Sequence, residues 1–310
     1  MNKFTKTVLI AGGVCLGAGL IIVGIAAGLA RKNGAEAATT YEKITVSVTE
    51  DFENIHIEEV SNDVKIVISD TDAITVEYWD NSKLTHSCKV ENDTLHISYK
   101  NSNHWYDFIS VGIPGITEPA NDEPHDTIIY LPEGEYGNFR VDGVSADINV
   151  PEGYIFGDIT FNTVSGDISC LSESTGDLEV NTTSGCLQEI YVNGISGKIN
   201  TVSGEVNISD STLSGSLVID TVSGDIKFTN VTTAATSINT TSGDIVMNGY
   251  SSGNTSIDTT SGDIEASVVG TYNIDFDSVS GDSQISCNNM TDGSRFTVNT
   301  VSGDLTVREA

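Results

Sequence analysis

The feature that most constrains this chain is a seven-residue block, Asn162-Thr163-Val164-Ser165-Gly166-Asp167-Ile168, whose near copies return at a fixed interval to the C-terminus. With the glycine as origin the copies centre on Ala146, Gly166, Gly185, Gly204, Gly224, Gly243, Gly262, Gly281 and Gly303, in steps of 20, 19, 19, 20, 19, 19, 19 and 22. A regular period of this length is the mark of a solenoid, in which each repeat is one supersecondary unit and stacked neighbours bury its apolar face.

Within a repeat the apolar residues fall at −7, −5, −2, +2 and +4 from the glycine: Leu217, Ile219, Val222, Ile226 and Phe228 around Gly224, and Phe296, Val298, Val301, Leu305 and Val307 around Gly303. Spacing by two is strand periodicity, and the change of phase between −5 and −2 marks a corner. Thr, Val and Ile dominate, as suits a pleated, half-buried surface. Ser-Gly-Asp then reads as the turn between two short strands, with glycine expected at positive φ and Asp bonding its own backbone. Stacking coils at ~4.8 Å pairs every strand with its equivalent in the next coil. The expectation is an all-β, single-stranded parallel β-solenoid (β-helix) with coils of 19 or 20 residues, right-handed being the commoner hand. Like residues then form columns: Thr163, Thr182, Thr201, Thr221, Thr240, Thr259 and Thr300 facing outward, Asn or Asp four before the glycine, and an acid one after it. Upstream, Ile55, Ile57, Val60, Val64 and Ile66 fit the same template with Asn62 in the glycine place, so the solenoid is expected to begin near Asp51. Asn is the next best residue for positive φ.

Ahead of it, Val8 to Ala30 is a run of 23 apolar or small residues flanked by Lys3 and Lys6 and by Arg31 and Lys32. That length spans a hydrocarbon core of ~30 Å, so residues 1–32 are expected to be an N-terminal membrane anchor, with 8–30 as a transmembrane helix and 33–41 as a tether. The flanking charges are balanced and leave orientation open. A short N-terminal arm and a Lys-poor, Ser/Thr/Asn/Gly-rich body place the body outside. The rival is a signal peptide cleaved near Ala35-Glu36-Ala37, whose apolar core is expected to be only ~7–15 residues long. Gly13-x-x-x-Gly17 and Gly24-x-x-x-Gly28 are weak evidence for helix pairing in so glycine-rich a segment.

Residues 42–138 read as the first coil plus an irregular β region. Ala73 to Trp79, Leu84 to Val90 and Thr94 to Lys100 are expected strands, either a meander or longer coils of the same stack. Asn101 to Pro124 is a long loop containing Trp105, Tyr106 and Phe108, candidates for partner contact and equally for packing against the body. Regular coils fill 139–310. The last ends in Arg308-Glu309-Ala310, a thin cover for a strand edge and so a candidate contact surface.

The formal net charge is −30. Phosphates would be repelled, which argues against nucleic acid as a partner. The acid column (Asp147, Asp167, Glu205, Asp225, Asp244, Asp263, Asp282 and Asp304) offers a cation ladder, strongest at Asp225, Asp244, Asp263 and Asp282, that calcium would suit. The plainer reading makes each Asp a turn residue, and Cys186 interrupts the column. No cofactor is expected. Catalysis is not expected either. The turns are uniform, and His56, His86, His96, His104 and His125 all precede residue 126 without zinc-ligand spacing. The five cysteines are odd in number and lack Cys-x-x-Cys, so free thiols are expected.

From about Asp51 to Val307 the chain resembles the bacterial "putative adhesin" β-strand-repeat family, of unknown function. Thr-Val-Ser-Gly-Asp-Ile at 163–168, its copies at 221–226 and 300–305, and Val60-Ser61-Asn62-Asp63-Val64 followed by Ile128-Ile129-Tyr130-Leu131-Pro132 carry the resemblance. It implies a β-solenoid, often with an N-terminal membrane segment, and carries over no catalytic residues. The expectation is a non-catalytic, single-pass protein of a Gram-positive-like cell envelope, serving adhesion or binding of a protein or glycan. The alternatives are an envelope-stress sensor presenting the solenoid to a partner and a carbohydrate-active β-helix enzyme.

Overall fold

The computed structural model describes residues 41–81, 85–99, 125–191 and 193–310, and the chain there is a stack of β-coils. Strands preceding each glycine corner form one long parallel sheet, the upstream sheet: Phe139–Gly143, Ile159–Asn162, Leu178–Asn181, Gly197–Asn200 and their successors. Strands following the corner form the downstream sheet, from Ile148–Val150 and Ile168–Cys170 onward. A short third row, Gly134–Glu135, Tyr154–Phe156 and Glu173–Ser174, closes part of the remaining side. Equivalent residues pair coil after coil, as with Ile199 beside Ile219 and Ile208 beside Phe228. The −7, −5, +2 and +4 side chains merge into one core that includes Leu217, Ile219, Ile226 and Phe228, all fully buried.

At the corner the expected phase is reversed. Thr163, Thr182, Thr201, Thr221, Thr240, Thr259 and Thr300 are buried, while Val164, Val202 and Val222 at −2 are half-exposed and Val279 is 81% exposed. Alternation therefore runs unbroken through −3, and the chain turns after it. The cause is a hydrogen bond: Thr221 Oγ1 accepts the Gly224 N–H at 3.1 Å, and Thr163, Thr182 and Thr201 do the same for Gly166, Gly185 and Gly204. These four threonines can be buried because their hydroxyls satisfy a backbone donor that the corner leaves without a strand partner. Thr240 and Thr259 instead donate to the Ser242 and Ser261 carbonyls, and Thr300 Oγ1 is buried without a partner among the described residues.

The glycines, too, have a reason other than the expected one. Among the repeat glycines only Gly243 and Gly262 lie at left-handed φ, and Asn62 is not among the positive-φ residues. What demands glycine is the next coil: a Cβ on Gly204 would stand 1.9 Å from the Gly185 carbonyl oxygen, and one on Gly224 2.0 Å from that of Gly204.

The layers do not follow chain order at either end. The coil built on Asn54–Glu59 and Val64–Ile68 lies between Thr94–Tyr99/Thr127–Leu131 and Phe139–Gly143/Ile148–Val150. At the other end Ser294–Thr300/Leu305–Glu309 is inserted between the coil ending in Ile264–Val268 and that of Tyr272–Ser278/Ser283–Ser286. The last coil in sequence is thus next to last in space. Among the described residues, Tyr272–Ser278 and Ser283–Ser286 are the strands with a partner on one side only at that end, not Leu305–Glu309, which is paired on both sides.

The region 70–138 supplies both a coil and a cap. Ile74–Asp80 joins the downstream sheet antiparallel, between Thr127–Leu131 and Glu42–Val48. His86–Glu91 forms a hairpin with Thr94–Tyr99 through Asn92 and Asp93, both at positive φ. Antiparallel edge strands carrying Glu42, Lys43, Lys89 and Glu91 blunt this end of the stack. No helix among the described residues is long and apolar enough to cross a membrane, and the expected helix at 8–30 lies outside them.

Candidate functional site

The strand Asn54–Glu59 carries the densest chemistry in the molecule because alternation sends His56 and Glu58 to solvent and Ile57 and Glu59 into the core. Register then assembles two clusters, one on each face.

On the outer face Lys89, His96, His56 and Arg140 form a row across four adjacent strands. The next row includes Glu58 beside Asp142. His56 Nε2 is 2.8 Å from Asp142 Oδ2, and Arg140 donates Nε to Oδ2 at 2.7 Å and Nη2 to Oδ1 at 2.8 Å. Asn162 Nδ2 donates to Oδ1 at 2.7 Å. Burial alone would raise the Asp142 carboxyl, but these hydrogen bonds and the Arg140 charge hold it at about 2. The His96 ring meets His56 edge-on at 5.5 Å, and burial followed by the His56 charge lowers its pKa. Donor atoms of His56, Glu58 and Asp142 lie within 4.8 Å of one another.

On the inner face Glu59 takes the place that threonine holds in later coils, beside Gly143. It is 0% exposed and is held by His86 Nε2 at 3.0 Å, by the Tyr99 hydroxyl at 2.8 Å and by the Thr127 hydroxyl. His86, 1% exposed, binds Asp80 Oδ1 through Nδ1 at 2.7 Å and lies between the rings of Tyr78 and Tyr99 at 4.6 and 4.4 Å. Burial pushes the imidazole down, but the hydrogen bonds and charges of Glu59 and Asp80 outweigh it and leave the pKa raised. Each ring nitrogen thus faces a carboxyl oxygen, an arrangement that favours the protonated imidazole. Sealed from solvent, it locks the cap strand to the first coils and cannot meet a substrate.

The acid column has a definite backbone role. Asp225 Oδ1 accepts the Asp244 N–H, Asp244 Oδ1 that of Asp263, Asp263 Oδ1 that of Asp304 and Asp304 Oδ1 that of Asp282, each at 2.9 to 3.0 Å. Asp147 and Asp167 serve Asp167 and Cys186 likewise. One oxygen of Asp147, Asp167, Asp225, Asp244, Asp263 and Asp304 is thus engaged by a neighbouring coil. The Asn/Asp row forms a second ladder, with Asn181 donating to Asn162 and Asn200 to Asn181.

Cys88, Cys170, Cys186 and Cys287 are free thiols, and burial raises Cys88 and Cys170 to about 11. Cys170 occupies the inward +4 place expected for it. Trp105, Tyr106 and Phe108 lie outside the described residues. Sequence reading missed both clusters because their members are distant along the chain: His56 and His96 are 40 residues apart but share one register. The available signal was the strand phase of Asn54–Glu59, extended to the register of its neighbours.

No curated protein matches the chain. Three solved structures align with it at low identity. A putative adhesin from Bacteroides fragilis is 11% identical, covering 86% of this chain and 97% of its own, with a TM-score of 0.38. A putative lipid binding protein from Parabacteroides distasonis is 17% identical over 86% and 96%, with a TM-score of 0.39. A putative cell adhesion protein from Clostridium sporogenes is 10% identical over 87% and 100%, with a TM-score of 0.22. The family comparison is the decisive one: the Toastrack DUF4097 domain matches residues 52–308, and the chain belongs to that family.

Proposed function

We propose that the chain is a non-catalytic binding protein of the bacterial cell envelope, tethered by the apolar segment 8–30 with its solenoid outside, and that it recognises a macromolecular partner along its corner. The supporting observation is the reversed corner phase. It sets Val144, Val164, Thr183, Val202, Val222, Thr241, Thr260, Val301 and Val279 in one solvent-facing file along the stack. The backbone of this file is bonded coil to coil, as in Ser203 N to Thr183 O and Ser223 N to Val202 O, both at 3.0 Å, so it is a rigid surface. A file of six valines interspersed with three threonines on the outside of an acidic protein gains free energy by being covered. The strongest titratable cluster, by contrast, is sealed inside.

The test is capture of envelope components by the full chain and by a V164S/V202S/V222S variant of unchanged melting temperature. A saturable partner held by the parent and lost by the variant is expected. Equal capture by both, or no saturable capture by the parent, overturns the reading.

A further inference from the structure

We infer that the outer face of the first coils forms a site for one divalent transition-metal ion, zinc by its ligand chemistry, bound by His56, Glu58 and Asp142 with water as the fourth ligand. The frame is two adjacent strands. Glu58 and Asp142 are register partners, His56 precedes Glu58 by two residues, and all three side chains leave the same face. Imidazole and carboxylate donors together suit zinc, nickel or copper, whereas calcium and magnesium prefer oxygen alone.

Zinc bonds of ~2.0–2.2 Å place tetrahedral ligand atoms ~3.3 Å apart. Three donors already within 4.8 Å of one another need only side-chain rotation to reach that spacing, and the 2.8 Å contact of His56 with Asp142 opens slightly. Asn162 holds Asp142 Oδ1 at 2.7 Å, the kind of outer contact that orients a ligating carboxylate and leaves Oδ2 to the ion. A net charge of −30 raises the local concentration of cations.

Arg140 decides the strength. Its guanidinium already neutralises Asp142 through both oxygens, so an ion has to displace it from Oδ2 and then tolerate its charge. Micromolar rather than nanomolar affinity follows, and removing that charge tightens binding. This last consequence separates a metal site from a purely structural ion pair.

The test is titration of the full chain with zinc chloride by calorimetry, and with cobalt chloride by visible absorption. One saturable site with tetrahedral cobalt bands is expected, with affinity at least tenfold lower in H56A and severalfold higher in R140Q. Absence of a saturable site up to millimolar zinc overturns the proposal, as does undiminished affinity in H56A, which would assign the ion to the acid column. Misfolding cannot imitate the gain in R140Q.

Discussion

Replacing Gly224 by Ala isolates the close approach of successive coils. The new Cβ would lie 2.0 Å from the Gly204 carbonyl oxygen, a full ångström inside the closest contact such atoms make. The layers must part by about that much, since the obstacle is backbone on a rigid stack. Overpacking of this kind costs about 1–3 kcal/mol. Parting the layers also stretches Ser223 N to Val202 O from 3.0 Å and strains Gly224 N to Thr221 Oγ1 at 3.1 Å, each bond contributing about 1 kcal/mol. The sum is a loss of about 3–5 kcal/mol, read as a fall in the urea midpoint together with faster amide exchange in the coils on either side. Gly143→Ala is the internal control: its Cβ would meet Ala146 Cβ at 3.5 Å and Thr163 Oγ1 at 3.7 Å, ordinary contacts, and its φ is not left-handed. That substitution changes stability by less than about 1 kcal/mol. Gly224→Asn discriminates the cause. If glycine were needed for left-handed φ, asparagine would restore most of the stability, and recovery to within about 1 kcal/mol of the parent would refute the steric argument.

The remaining perturbations address the clusters. His86→Ala leaves Glu59 buried without its cation and should cost about 3–5 kcal/mol, confined to the cap strands and seen as exchange of the amides in His86–Glu91 and Thr94–Tyr99. The folded pKa of His86 lies above the unfolded 6.5, so its contribution is complete below about pH 6.5 and is lost as pH rises through the folded value. Cap exchange in the parent should therefore quicken on the alkaline side, and a parent as pH-insensitive as H86A would contradict this. Asp244→Asn keeps an acceptor for the Asp263 N–H and should be nearly neutral, while Asp244→Ala costs about 0.5–1.5 kcal/mol by thermal unfolding. With one oxygen of Asp225, Asp244, Asp263 and Asp304 engaged by backbone, calcium is expected to leave the melting temperature unchanged relative to chelator, and a rise of several degrees would reinstate the cation ladder.

The period and the apolar rows were legible because both are one-dimensional. Phe228 at +4 and Ile219 at −5 are core by strand alternation alone, and the fold class follows from them. What the linear pattern misjudged lies where a residue's role is set by the coil beneath it. Thr221 looks like a surface residue until the Gly224 N–H is seen to need its hydroxyl. Gly224 looks like a turn residue until the Gly204 carbonyl is placed. Val222 fits an inward template by composition and faces out because the chain has not yet turned. Glu59, His86 and Asp80 belong to three different strands, and nothing local relates them.

The interleaving at the C-terminal end admits a physical account from the same template. Stacked in chain order, the coil of Tyr272–Ser278 would rest on that of Thr255 to Val268 in the usual step, from Gly262 to Gly281. The structure instead inserts Ser294–Thr300/Leu305–Glu309 between them. At the +2 place the inserted coil has Leu305, fully buried, and the displaced one has Ser283, which is exposed. The other end is different: Thr127 lies beside Val64, but its strand is itself covered by Ile74–Asp80 and Thr127 is fully buried. An inner layer is covered on both sides and gains from an aliphatic side chain, at about 25 cal/mol per Å² of apolar surface. A hydroxyl there would be desolvated without a guaranteed partner. Placing the hydroxyl-bearing coil outermost satisfies both terms at the C-terminal end, whereas the buried Thr127 meets the second by bonding Glu59. Layer order at the C-terminal end is thus set by which coil tolerates an uncovered face. A Ser283→Leu/Leu305→Ser exchange should shift the balance toward chain order, bringing Gly281 rather than Gly303 against Gly262, which disulfide trapping between neighbouring coils would detect. Unchanged layer order in that exchange would show that the connections, not the +2 side chains, dictate the insertion.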